Sequence, residues 1–376
     1  MLPYSFIMDT TSVPYALPAA ALSEGGPGAI SPLPTPASAK PAEWSRRAFL
    51  QAAPLLPMAA SSVLASPDRP TSPTVNSLPS NAMQYRTVQV DGLDIFYRET
   101  GDPAKPTLLL LHGYPTSSFM FRNLMPALAA RYHLVAPDYP GFGQSSFPDA
   151  AQFAYTFDNL ARMMNGFVEA LQLTKYSLYI MDYGVPVGLR LASQHPERVQ
   201  ALVIQNGNAY DDGIQEFWNP LLAYWKNPQD PALEATIREQ FTLAGIKAQY
   251  LTGVRNPEAI SPDTYTLDWA RMSRPGNVAM HLAYYYDYRH NVTLYPVWQA
   301  YFRKYQPPTL LMWGKNDPIF PVPSAKAYTR DLKTTELHLL DTGHFALEEE
   351  GPLMAALMDT FLTKHLGAGQ PAAHRH

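Results

Sequence analysis

The chain has 376 residues, with 28 basic against 32 acidic side chains and no cysteine. So slight a charge, without a basic stripe or an acidic tail, gives no footing for nucleic-acid binding. The missing thiols exclude disulfide frameworks, thiolate zinc sites and cysteine nucleophiles. The length suits one large domain or two small ones, and 23 Tyr, 16 Phe and 6 Trp can furnish both a core and an aromatic-lined pocket.

Residues 1–80 are rich in Pro, Ala and Ser, lack hydrophobic periodicity, and read as a disordered leader. Within it, Ser45 to Ala65 places the pair Arg46-Arg47 before a mildly apolar run ending in small residues. That order is similar to a twin-arginine export signal, with cleavage expected after Ala65. It implies a periplasmic or otherwise exported protein, or a cytoplasmic one if the leader is not functional. The segment before Arg46 is long for such a signal, which raises the possibility of a start codon downstream of Met1. No later run is long and apolar enough for a membrane helix.

From Met83 the elements alternate. "YRTVQV" and "LDIFYRE" read as strands joined by a turn at Asp91-Gly92. "TLLLLHG" is a continuous apolar run, the mark of a buried parallel strand. A helix from about Ser118 to Arg131, strand "HLVAPDY", helix Phe157 to Leu171, strand "YSLYIMD", helix Val185 to His195 and strand "ALVIQNG" follow. After a long gap come strand "TLLMWG", a helix near Ser324 to Leu332, strand "ELHLLD" and a closing helix Pro352 to His365. Such alternation predicts an α/β fold, an eight-stranded and mostly parallel sheet with helices on both faces.

The gap, residues 211–306, holds helical patterns and dense aromatics ("FWNPLLAYW", "YTLDWARM", "HLAYYYDYR") but no buried strand. It reads as a helical cap inserted between the two parts of the core, 83–210 and 307–366. Open α/β sheets bind ligands at their carboxyl edge, and a lid there excludes water.

Three residues fall at the carboxyl ends of predicted strands. Asp182 stands at the strand-to-helix turn in "YIMDYGVPVG", Asp317 follows "TLLMWG", and His344 follows the last strand in "DTGHFAL". Singly, an Asp at a turn is usually a cap and a lone His a satisfied core residue. The ordered set of nucleophile, acid and histidine is the chain order of α/β-hydrolases. The strand before the gap ends in "QNGNAY", with no carboxylate until Asp211, which favours Asp317 as the acid.

From about Tyr85 to His365 the chain resembles the α/β-hydrolases of the epoxide hydrolase and haloalkane dehalogenase group. "HGYP" (His112 to Pro115) resembles the oxyanion loop, "DYPGFGQS" the turn after the next strand, and "DYG" (Asp182 to Gly184) the aspartate elbow. "GKNDP" and "GHF" match the acid and histidine motifs. The resemblance implies an aspartyl alkyl-ester mechanism without a cofactor, on a small apolar electrophile and water. Ionised Asp182 attacks saturated carbon. His344, oriented by Asp317, then draws a proton from water that attacks the ester carbonyl. The N–H groups of Tyr114 and Tyr183 receive the oxyanion. A serine esterase finds no support, because no serine occupies a comparable elbow.

Opening an epoxide releases an alkoxide, which wants a proton donor; releasing halide wants N–H donors. In epoxide hydrolases two cap tyrosines hold the epoxide oxygen, one of them in a Tyr-Arg pair. Here Tyr288-Arg289 matches that pair and Tyr224 resembles the other tyrosine, while Tyr284, Tyr285 and Tyr286 read as core aromatics of the cap. The dehalogenases use an indole N–H at the position of Tyr183, and one branch an asparagine at that of Tyr114. Trp218, Trp225, Trp269 or Trp298 could supply the lost donor. Epoxide hydrolysis therefore ranks before haloalkane dehalogenation. A non-catalytic ligand-binding protein of the same fold is the reading of another class, and the intact Asp182, Asp317 and His344 argue against it. Substrate, stereochemistry and oligomeric state are not legible.

Overall fold

A computed structural model describes residues 81–367. The expected leader, with its signal at Ser45 to Ala65, lies outside the described residues. Eight strands form one sheet: β1 (Gln84–Val90), β2 (Leu93–Thr100), β3 (Thr107–Leu111), β4 (His133–Pro137), β5 (Tyr176–Met181), β6 (Val199–Gln205), β7 (Thr309–Gly314) and β8 (Thr335–Leu340). Their order is β1-β2-β4-β3-β5-β6-β7-β8. Only β2 runs against its neighbours; every other pairing is parallel. This is the expected eight-stranded, mostly parallel sheet of the α/β-hydrolase fold.

Local chemistry explains the strands. β3, β4, β5 and β7 are buried at every residue, as continuous apolar runs covered on both faces must be. The β1–β2 turn puts Asp91 and Gly92 at φ 47° and 79°, the two positive values of a two-residue hairpin turn. After β3 the chain moves out to β4, then returns past β3 to β5. That reversal opens a crevice beyond the carboxyl ends of β3 and β5, where the His112–Pro115 and Asp182–Gly184 turns stand.

Ten helices accompany the sheet among the described residues: α1 (Leu124–Leu128), α2 (Phe157–Ala170), α3 (Gly184–Gln194), α4 (Asn219–Lys226), α5 (Pro231–Arg238), α6 (Leu243–Leu251), α7 (Pro262–Met272), α8 (Asn277–Tyr305), α9 (Val322–Tyr328) and α10 (Ala346–Leu366). The expected helix Ser118 to Arg131 is instead a 3-10 turn, Ser118–Phe121, followed by the short α1. Pro126 is the reason: inside one continuous helix it would lack an N–H and clash with the carbonyl of Arg122. α10 starts six residues before the expected Pro352 and carries that proline inside it. Glu348 and Glu349 in its first turn suit the positive helix end, and burial of Ala346 and Leu347 rewards the early start. α9 begins at Val322, with Pro323 in its first turn, and stops four residues short of Leu332.

Helices α4 to α8 lie between β6 and β7. Buried polar contacts fix α8 against the core: Phe157 N–H donates to Asp287 at 2.8 Å, and Arg190 of α3 donates to Asn291 at 2.7 Å. Trp218 donates its indole N–H to the Ile319 carbonyl at 2.8 Å. Among the described residues no helix is long and apolar enough to cross a membrane.

Candidate active site

β5 delivers Asp182 into a turn where its φ is 51°. A non-glycine residue adopts that conformation only when its surroundings enforce it. Enforcement comes from close packing: a Cβ on Gly184 would stand 2.2 Å from the Leu111 carbonyl oxygen, and one on Gly113 would stand 2.5 Å from Cβ of Asp182. Both glycines let the two turns touch. α3 then begins directly beneath the carboxylate, so its N-terminal dipole favours negative charge there.

The carboxylate is held unevenly. Oδ1 accepts the backbone N–H of Tyr114 at 2.7 Å and of Tyr183 at 2.6 Å. Oδ2 stands 4.0 Å from Nε2 of His344. Burial pushes the Asp182 carboxyl up to about 6, against the pull of His344 and the two N–H donors. Asp182 is thus mostly ionised at neutral pH, as the sequence reading expects.

His344 is fully buried. Its Nδ1 meets Asp317 Oδ2 at 2.8 Å, and its Nε2 has no hydrogen-bond partner. Burial opposes its charged form, but Asp317 beside it wins and the imidazole sits above its usual value. Asp317 is itself buried and takes the Ile319 N–H on Oδ1 at 2.7 Å. The His112–Pro115 turn is stiffened by His112, whose Nδ1 lies 2.9 Å from the Gly113 carbonyl while Nε2 accepts the Tyr139 N–H at 3.2 Å. Burial drives His112 down to about 4, so it is a neutral strut. The Tyr114–Pro115 peptide bond is cis.

A cavity of about 80 Å³ opens over Asp182. Apolar side chains dominate its wall, among them Trp218, Leu221, Ile237, Ile319 and Phe320, with Tyr114, Tyr183, Tyr285 and Tyr288 near the carboxylate. The sequence-predicted residues Asp182, Asp317, His344, Tyr114, Tyr183 and Tyr288 thus converge. Tyr224 does not join them. It is buried in α4 with its ring 5.9 Å from that of Tyr286, and it is not among the residues lining the cavity.

Tyr285, read from sequence as a core aromatic, lines the cavity where Tyr224 does not: its ring lies 5.5 Å from that of Tyr114, and burial together with the Asp182 charge raises its phenol. The Tyr288 phenol is likewise raised, chiefly by burial, with Tyr295 and Asp182 adding to the effect. Its hydroxyl has the Tyr295 hydroxyl as its hydrogen-bonding neighbour. The indoles are committed or remote: Trp218 donates to Ile319, Trp225 donates to the Tyr285 carbonyl at 2.7 Å, and neither Trp269 nor Trp298 lines the cavity. Among the described residues no group of three or more His, Asp or Glu side chains is placed to hold a metal ion.

Comparison with known proteins agrees with this geometry. The family model described as alpha/beta hydrolase fold matches residues 106–351. An uncharacterized hydrolase of Saccharomyces cerevisiae, YNR064C, is 44% identical over 269 residues, covering 70% of this chain and 92% of the yeast protein. A haloalkane dehalogenase of Bradyrhizobium diazoefficiens is 38% identical over 120 residues, 32% of this chain and 38% of that protein. Among solved structures, the epoxide hydrolase CorEH superposes with a TM-score of 0.61 at 20% identity, covering 75% of this chain and 99% of that one, a likeness of fold. With a family match over more than half its length and a close relative along nearly the whole core, the chain belongs to the alpha/beta hydrolase fold family.

Proposed function

We propose that this hydrolase opens small epoxides to vicinal diols through an ester on Asp182. The observation that carries the reading is the donor set that lines the cavity with Asp182 among the described residues: two phenols, Tyr285 and Tyr288, and no uncommitted indole N–H. A phenol can protonate an alkoxide; a dehalogenase needs N–H donors for halide instead.

The steps follow from which atoms are free. Asp182 Oδ2 attacks an epoxide carbon, and the carbon–oxygen bond of the ring breaks. The departing oxygen takes a proton from Tyr288 or Tyr285, leaving a hydroxyalkyl ester and a phenolate. His344 Nε2, unpartnered and facing the ester, then takes a proton from water. The hydroxide adds to the carboxyl carbon of Asp182, and the negative charge settles on Oδ1 between the Tyr114 and Tyr183 N–H groups. Collapse expels the diol oxygen, which receives the proton from His344. The carboxyl proton returns to the phenolate.

The test uses His344→Gln. Alkylation needs no base and should proceed, while ester hydrolysis should stall. The peptide containing Asp182 should gain the mass of the whole epoxide. The likeness to a haloalkane dehalogenase keeps that second reading in view, and the same experiment separates the two, because a haloalkane adds only its alkyl part. An adduct on serine, or turnover without any adduct, would end the aspartyl reading. Turnover of neither substrate class would favour a binding protein of the same fold.

Export rests on the order of Arg46-Arg47, the mildly apolar run after it and the small residues that end at Ala65. We propose periplasmic delivery. Replacing both arginines by lysine should leave the protein in the cytoplasm, and unchanged fractionation would reject the idea.

A further inference from the structure

We propose that the end of β6, which contributes no reacting group, holds all three members of the catalytic set in register through Gln205 and Asn206. This inference rests on the aspartyl-ester reading. Both residues are fully buried. Gln205 donates its side-chain N–H to the backbone carbonyl of His344 at 2.9 Å, and its own side-chain oxygen is fixed by the Tyr179 hydroxyl. Asn206 donates Nδ2–H to Asp317 Oδ2 at 2.8 Å, the same oxygen that faces Nδ1 of His344. Its side chain also brackets Gly314, accepting that N–H at 2.9 Å and donating to that carbonyl at 3.2 Å. Its backbone carbonyl accepts the Asp182 N–H at 3.1 Å.

One dipeptide therefore touches the nucleophile's backbone, the acid's carboxylate and the histidine's backbone. The geometry assigns Asn206 a defined task. Asp317 could rotate about its Cβ–Cγ bond and turn Oδ2 away from His344. The Ile319 N–H pins Oδ1 and the Asn206 amide pins Oδ2, so the carboxylate plane is fixed from both sides. A fixed carboxylate in turn fixes the imidazole tautomer that leaves Nε2 free to take a proton from water. Asn206 also occupies φ 36°, a conformation that asparagine tolerates better than most residues. Asn206 and Gln205 are positioning residues: they act through Asp317 and His344 and touch no substrate atom.

A positioning role predicts a split between the two half-reactions that a general loss of structure would not produce. Asn206→Gly removes the side chain while suiting the positive φ, and Asn206→Ala removes it with added backbone strain. With a short terminal epoxide such as 1,2-epoxybutane, rapid-quench measurement should show alkylation of Asp182 within about twofold of the wild type in the glycine variant. Ester hydrolysis should slow by about 10- to 100-fold, the range expected of a misplaced catalytic group, so the ester should accumulate. The inference is overturned if both steps fall together, if neither falls, or if the glycine variant unfolds at the assay temperature, since Asn206 would then be structural only. His344→Gln serves as the control. If it accumulates ester and Asn206→Gly does not, the positioning role fails and the mechanism stands. If His344→Gln yields no ester, the mechanism itself fails.

Discussion

Oδ2 of Asp182 and Nε2 of His344 face each other across 4.0 Å, too far for a hydrogen bond, while the other oxygen of the same carboxylate is held at 2.6 and 2.7 Å by two backbone N–H groups. One oxygen is fixed by donors that favour negative charge and the other is not, and on the aspartyl-ester reading the second is the one that bonds to carbon.

The pH dependence of the proposed first step follows. On the aspartyl-ester reading Asp182 attacks only as the carboxylate, and burial raises its pKa to about 6. The alkylation rate should fall as pH drops through about 6, losing tenfold per unit below it. His344 pulls that pKa down, so His344→Gln should move the midpoint upward. Rapid-quench alkylation rates across pH 4–9 test both statements, and a midpoint near 4 would contradict them.

Stability should carry the opposite signature. A carboxyl whose folded pKa lies above its unfolded value of 3.8 supports folding fully below that value, and the contribution is lost as pH rises through about 6. The charged, buried Asp182 therefore costs up to about 3 kcal/mol at pH 8, a shift of about two units at 1.36 kcal/mol each. Asp182→Asn should raise the thermal midpoint at pH 8 and lose most of that advantage at pH 4. Thermal unfolding of both proteins at the two pH values checks this.

The tyrosines divide into two groups. Tyr288→Phe and Tyr285→Phe should each slow alkylation by epoxides at least tenfold, because general-acid help is worth about 10²–10⁴. Tyr224→Phe should leave the rate unchanged, since Tyr224 does not line the cavity. Equal effects at all three positions in single-turnover assays would remove the proton-donor assignment.

Cavity size sets the substrate scale. A space of about 80 Å³ is smaller than the roughly 150 Å³ engineered cavity that admits benzene. Short aliphatic epoxides should therefore have higher kcat/KM than styrene oxide. Leu221→Ala, which enlarges the wall, should narrow or reverse that preference.

The parts legible in the sequence are those fixed by local pattern. Continuous apolar runs marked β3, β5 and β7, and the turns after β5 and β7 put Asp182 and Asp317 at the carboxyl edge. His344 stands at the same edge after β8, a half-buried strand legible from its place in the alternation rather than from an apolar run. The cap was harder. In "YYYDYR" four of five consecutive positions are tyrosine, so periodicity cannot tell which phenols face the cavity. The docking of α8 through Asp287 and Asn291 decides it, turning Tyr285 and Tyr288 inward and leaving Tyr224 against Tyr286. Asn206 was hidden for another reason. An asparagine at a strand end looks like an ordinary turn residue, and only tertiary hydrogen bonds reveal what it grips.

If Asp182 forms the proposed ester, its uneven grip would give the protein an isotopic memory. The oxygen held by Tyr114 and Tyr183 would stay with the enzyme, whereas the free one would depart in the diol and be replaced from water at every cycle. Enzyme that has turned over in heavy-oxygen water should carry one labelled and one original atom in a single side chain. Returned to ordinary water, it should pass the label to the first diol it makes, and unlabelled diol in that first cycle would mean that water, not Asp182, had attacked the substrate carbon.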